Sequence, residues 1–166
     1  MLKMSHSTLV GACRYGHIDT VKLLLERGVD PTHPYNEAIR VASENRHTDI
    51  VILLLQDGRA DPTVDGNVSI KLATIGNCPQ ITEALLQDGR ADPTVDDNYC
   101  IKLASYFGHE KIVELLLRDG RVDPTAVNEW AIKNAKTTEI KEMLIAYKYR
   151  VDGQEYQKAK NEILKI

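Results

Sequence analysis

His17, His47, Cys78 and His109 carry the side chains that could hold a metal ion or move protons, and they occupy one position in four successive segments of the chain. A zinc ion holds imidazole nitrogens at about 2.0–2.1 Å. Segments that pack helix against helix set equivalent positions about 8–10 Å apart, so one ion cannot reach two rungs of such a ladder. These residues are therefore read as ties for the turn ahead of each second helix, and neither a metal nor another cofactor is expected. Carboxylates are plentiful, but Asp61, Asp92 and Asp123 recur as turn residues, which makes their recurrence architectural. The sequence holds no Gly-rich phosphate loop, nucleophile elbow or CxxC pair, and catalysis is not expected of it.

The elements that must position these residues come from a repeat. Asp-Pro-Thr stands at residues 30–32, 61–63, 92–94 and 123–125, a spacing of 31 residues each time. A period between about 20 and 50 residues marks a solenoid of stacked copies. In the cleanest copy, Asp92 to Val122, proline pre-forms a turn and the Asp side chain can accept from the amides that follow. A first helix is predicted from about Asn98 to Phe107, with Cys100, Ile101, Leu103 and Ala104 on its buried arc at 100° per residue. Gly108-His109 breaks it, and a second helix carries Ile112, Val113, Leu115, Leu116 and Leu117 at core spacing. Gly120 ends that helix, because glycine takes the left-handed cap conformation at little cost. One copy cannot bury both apolar faces alone, so copies must stack.

The A-x-x-x-G-H runs at Ala12 to His17 and Ala104 to His109 resemble the ankyrin repeat, as do the leucine runs Val21 to Leu25, Ile50 to Leu55 and Ile112 to Leu117. The resemblance spans residues 5 to 150 and repeats in phase. It implies an all-α, ankyrin-type helical solenoid of about five stacked helix-turn-helix repeats. Two departures stand out. Tyr99-Cys100-Ile101-Lys102 replaces the family's T-P-L-H helix start, and the period is shorter than the family's 33. The missing residues lie between Asp92 and Ile101, where the family forms a β-hairpin finger, so a short turn is expected there. This short-turn D-P-T form is similar to repeats that large DNA viruses, intracellular bacteria and protists carry in many copies.

The expected array is 1–151, with copies at 1–29, 30–60, 61–91, 92–122 and 123–151, closed by a capping helix at 152–166. Ser5 or Ser7 can cap the first helix. The copy at 61–91 is the least regular: Asn77-Cys78-Pro79 replaces Gly-His, and Ala84 replaces the first leucine of the triplet, so looser packing is expected there. The last copy loses residues ahead of its second helix, where Met143, Leu144 and Ile145 resume the leucine positions. Asp152 and Glu155 have capping-box spacing, and Tyr156, Ala159, Ile163 and Ile166 share a helical side. A net charge of −3 argues against a nucleic-acid partner, which would need a basic face. Three unpaired cysteines, Cys13, Cys78 and Cys100, point to a reducing compartment. No apolar run is long enough to span a membrane. An intracellular, cytoplasmic setting is expected, in the host cytoplasm for a viral or bacterial effector.

Opposite the buried arc, Tyr99, Lys102 and Tyr106 form one stripe at i, i+3 and i+7. The matching triplets are Ser7, Val10, Arg14; Glu37, Arg40, Glu44; Val68, Lys71, Ile75; and Trp130, Lys133, Thr137. The resemblance implies that first helices line a concave side. Arg14, Arg40, Val68, Lys71, Ile75, Tyr99, Lys102, Tyr106, Trp130 and Lys133 are then the candidate partner-binding residues. Exposed aromatics beside cations are what anchors a protein partner. The competing reading has the lysines lay their stems over the helix and pair with Asp65, Asp96 or Asp97. The expected function is a monomeric, non-enzymatic scaffold for an unidentified protein. The alternative is an assembly module that self-associates through its terminal helix; an enzyme ranks third.

Overall fold

A computed structural model describes residues 5–33 and 35–150, and the chain divides after Asp92 into two compact units. The described residues are helical throughout, joined by turns with no strand among them. The first unit holds three helix pairs: α1 (His6–Tyr15) with α2 (Ile18–Glu26), α3 (Glu37–Glu44) with α4 (Thr48–Asp57), and α5 (Val64–Ile75) with α6 (Pro79–Asp88). The second holds α7 (Val95–Phe107) with α8 (Glu110–Asp119), then α9 (Ala126–Lys133) with α10 (Thr138–Lys148). Paired helices therefore stack in register, α1 on α3 on α5 and α2 on α4 on α6 in one unit, α7 on α9 and α8 on α10 in the other. The capping helix expected at 152–166, and Val151 with it, lies outside the described residues.

Apolar spacing explains the stacking. Leu9, Leu24, Ile39, Ile50, Leu54, Ile70, Ile81 and Leu85 are fully buried in the first unit, and Ile101, Ile112, Leu116 and Ile140 in the second. Leu103 is only half-buried, while Ser43, Thr74 and Ser105, at one position of successive copies, are fully enclosed. Each of these hydroxyls donates to the carbonyl four residues back, at 2.9, 2.8 and 2.7 Å, which satisfies it inside the helix. Ser5 caps α1 by accepting from the Thr8 amide at 3.3 Å, and Pro79 takes the first position of α6.

The expected short turn is a left-handed one. Asp65, Gly66 and Asn67 have φ of 51°, 63° and 58°, and Asp96, Asp97 and Asn98 have 52°, 56° and 60°. Right-handed helix therefore starts after Asn67 and after Asn98. Gly, Asn and Asp are the residue types that visit this conformation at low cost. Ahead of the turn, the Asp61 carboxylate accepts from both the amide and the hydroxyl of Thr63 at 2.8 Å, and Asp30 and Asp123 do the same for Thr32 and Thr125. At the turn's end, asparagine reaches into the next copy. Asn36 Oδ1 accepts from the Asp61 amide, Asn67 Oδ1 from the Asp92 amide and Asn98 Oδ1 from the Asp123 amide, each at 2.7 Å.

A second ladder ties the helix C-termini. Arg59 grips Asp57 with both arms at 2.7 Å and donates to the Leu25 and Val29 carbonyls of the preceding copy. Arg90 repeats this with Asp88, and its guanidinium reaches the Ala60 carbonyl at 2.8 Å. A bidentate guanidinium placed on the unsatisfied carbonyls of a helix end combines the charge-assisted bond with a favourable dipole interaction.

The least regular copy keeps its core: Ile81 and Leu85 are fully buried, and Thr82, buried among them, donates to the Cys78 carbonyl at 3.1 Å. Ala84 is half-buried, as is Leu53 at the same position of the preceding copy. Ala84 lines a groove on the outside of α4 and α6, with Ile52, Leu55 and Gln80.

Candidate functional site

The four ladder residues end up beside turns. His47 Nε2 lies 3.0 Å from the Arg14 carbonyl of the preceding copy, and its ring packs on Gly16. Gly16 has φ of 75°, and a Cβ there would meet that ring at 2.8 Å, so glycine is required twice over. Lys136 performs the equivalent task in the last copy: its amide donates to the Ser105 carbonyl at 2.9 Å and its stem covers Gly108. Cys78 places its thiol 3.4 Å from the Gly76 carbonyl. Burial raises its pKa and pushes that of Cys13 up to about 12, so both are held as neutral thiols. Among the described residues no three His, Cys, Asp or Glu side chains gather into a metal site.

The stripe opposite the core divides by chemistry. In the first unit Arg14 and Ile75 are exposed, and Arg40, Val68 and Lys71 are half-buried. Val10, expected on this stripe, is instead buried at 8% exposure. Arg14 and Arg40 share the Glu37 carboxylate at 3.2 and 3.4 Å, and Arg40 also reaches Glu44 at 3.5 Å. Arg14 and Arg40 are thus matched by carboxylates on the same face. Lys71 curls back toward Gly66, and Ile75, 47% exposed, is the open apolar side chain.

In the second unit the stripe is aromatic. Tyr106 is 51% exposed and its ring centroid lies 5.9 Å from that of Trp130, which is half-buried on the next first helix. Phe107, at the end of α7 and 43% exposed, meets Tyr106 edge-on at 5.2 Å and stacks over His109 at 5.8 Å. Tyr99 and Lys102 are half-buried, and Lys102 donates to the Asp96 backbone carbonyl at 3.3 Å, not to a carboxylate. Lys133 is exposed and makes no ion pair among the described residues. Thr137 does not belong to the stripe: it lies in the turn after α9 and caps α10 by accepting from the Ile140 amide at 3.2 Å. The residues lost from this copy remove the end of its first helix, which is why the spacing fails there.

Sequence reasoning passed over Phe107 and Lys136, which enter the aromatic cluster from the helix end and the facing turn. Their signal was weak, because one is the last residue before Gly-His and the other follows a deletion.

No helix among the described residues is long and apolar enough to cross a membrane. A family model described as "Ankyrin repeats (3 copies)" matches residues 9–97, and one described as "Ankyrin repeat" matches residues 96–129. No curated protein matches the chain.

Proposed function

The chain belongs to the ankyrin-repeat family, and from that premise we propose that it is a non-enzymatic scaffold that binds a partner protein through the outward stripe of its first helices. Ankyrin repeats are generally protein–protein interaction modules. The observation that carries the stripe reading is the Tyr106–Trp130 ring pair on the outward side of α7 and α9, with Tyr106 51% exposed and Trp130 half-buried. Large aromatic side chains left open to water gain most from being covered by a partner. With a left-handed turn in place of a finger, the helices supply the larger share of contact surface. Partner-binding roles follow for Arg14, Arg40, Val68, Lys71, Ile75, Tyr99, Lys102, Tyr106, Trp130 and Lys133, in a monomer that works inside a cell.

Photo-crosslinking from the intact chain tests this. A crosslinking amino acid at Tyr106 or Ile75 should capture the same protein from a lysate, while one at Glu83 or Glu114 on the second helices should not. Capture confined to the second-helix positions would remove the stripe from the account.

A further inference from the structure

Within the second unit the stripe has an unbalanced charge. Tyr106, Phe107 and Trp130 form a continuous aromatic surface. Three lysines border it. Lys102 precedes Tyr106 by one helical turn, Lys133 follows Trp130 by three residues, and Lys136 lies along Gly108 with its ammonium 3.5 Å from the Phe107 carbonyl. Lys102 and Lys136 donate to backbone carbonyls, and none of the three ammonium groups makes an ion pair among the described residues. Of the neighbouring carboxylates, Glu129 is taken by Lys148 at 2.5 Å, Glu110 accepts from the Thr137 hydroxyl at 3.4 Å, and Asp96 and Asp97 lie on the left-handed turn whose Asp96 carbonyl Lys102 reaches. The first unit is the internal contrast, since Arg14 and Arg40 there already share Glu37 and Glu44.

Resting on the stripe reading, we propose that this surface takes an acidic peptide segment with an aromatic or leucine anchor. The anchor would lie against the Tyr106 and Trp130 rings, and Asp or Glu residues on either side would meet Lys102, Lys133 and Lys136. Uncompensated cations around an apolar centre match that pattern, because the rim selects by charge while the centre supplies the contact area. A neutral or basic segment would leave the ammonium groups facing nothing or facing their own sign.

Trp130 is the single tryptophan of the chain and lies in the surface, so binding can be read from its emission. The full chain would be used to select from a displayed random-peptide library, and the enriched peptides would be synthesised and titrated by Trp130 fluorescence. Enriched peptides should carry Asp or Glu within a few residues of Phe, Tyr, Trp or Leu. Replacing their acidic residues by lysine should weaken binding at least tenfold, as should Lys102→Glu together with Lys133→Glu, two surface changes that leave the core alone. Affinity should also fall as salt rises. Three results would overturn the proposal: no enrichment, enrichment of basic or uncharged peptides, or acidic peptides indifferent to the lysine changes. The arms separate the two levels of the account. Peptides that lack acidic residues yet lose binding on Tyr106→Ala sink the acidic class and keep the stripe; peptides indifferent to both Tyr106→Ala and the lysine changes sink the stripe as well.

Discussion

Replacing Asn67 should expose how the copies are held in register. Its side chain is 8% exposed, its φ is 58°, and its Oδ1 accepts from the Asp92 amide at 2.7 Å, so one residue carries a backbone conformation and a bond between copies. Asn67→Ala loses the bond, about 0.5–1.5 kcal/mol net, and puts in the left-handed region a residue without the short polar side chain that makes it tolerable there, at up to about 1–2 kcal/mol. The two add to about 1.5–3.5 kcal/mol. Asn67→Gly loses the same bond but relieves the backbone, so it should cost about 1 kcal/mol less than alanine. Asn67→Asp keeps an acceptor of the same length and should stay closest to the parent. Urea unfolding followed by circular dichroism measures all three. Alanine within about 0.5 kcal/mol of the parent, the range of an ordinary surface change, would refute the reasoning, and so would glycine proving worse than alanine.

Three further outcomes follow. The Ser69 hydroxyl is buried without a hydrogen-bond partner at a position occupied elsewhere by Ala38 and Ala131; Ser69→Ala should therefore raise stability by about 1 kcal/mol in the same urea assay. Acid should weaken the fold through Asp57 and Asp88, whose carboxyls the Arg59 and Arg90 guanidinium groups hold below the usual range. A lowered folded pKa gives stability that is present above the unfolded value, about 3.9, and lost as pH falls through the folded one. Asp57→Asn should thus be destabilised at pH 7, and its disadvantage should shrink as pH falls below the unfolded value, a trend that urea titrations over a series of acid pH values would reveal. Cys13 and Cys100 are fully buried, and burial pushes the Cys13 thiol up to about 12, so a thiol reagent should modify them only at the rate of unfolding.

Most of the architecture was legible because its signals are local. The Asp-Pro-Thr turns, the leucine runs and the breaks before the second helices each lie within a few residues. What escaped notice acts between copies. Asn36, Asn67 and Asn98 recur at the same spacing as Asp-Pro-Thr, yet each bonds an amide 25 residues further on, a relation that no window of helical periodicity contains. Asp-Gly-Arg recurs likewise at 57–59, 88–90 and 119–121, and the reason for its arginine appears only when the preceding helix end is in place. Ser43, Thr74 and Ser105 read as polar and are enclosed, because the carbonyl four residues back satisfies their hydroxyls. The stripe was legible from spacing at Tyr106 and Ile75. Spacing could not show that Glu37 balances Arg14 and Arg40, nor that Val10 turns inward and Thr137 leaves the helix.

The most direct test of the binding role is the affinity of the crosslinked partner for the full chain and for its Tyr106→Ala variant, measured by calorimetry with melting temperatures recorded alongside. Tyr106 is 51% exposed and meets the rings of Phe107 and Trp130, so the account predicts a small loss of stability, about 0.5–1.5 kcal/mol for a ring pair, and a loss of about 2 kcal/mol or more in binding, the level of a dominant interface residue. Unchanged affinity with the fold intact would contradict it.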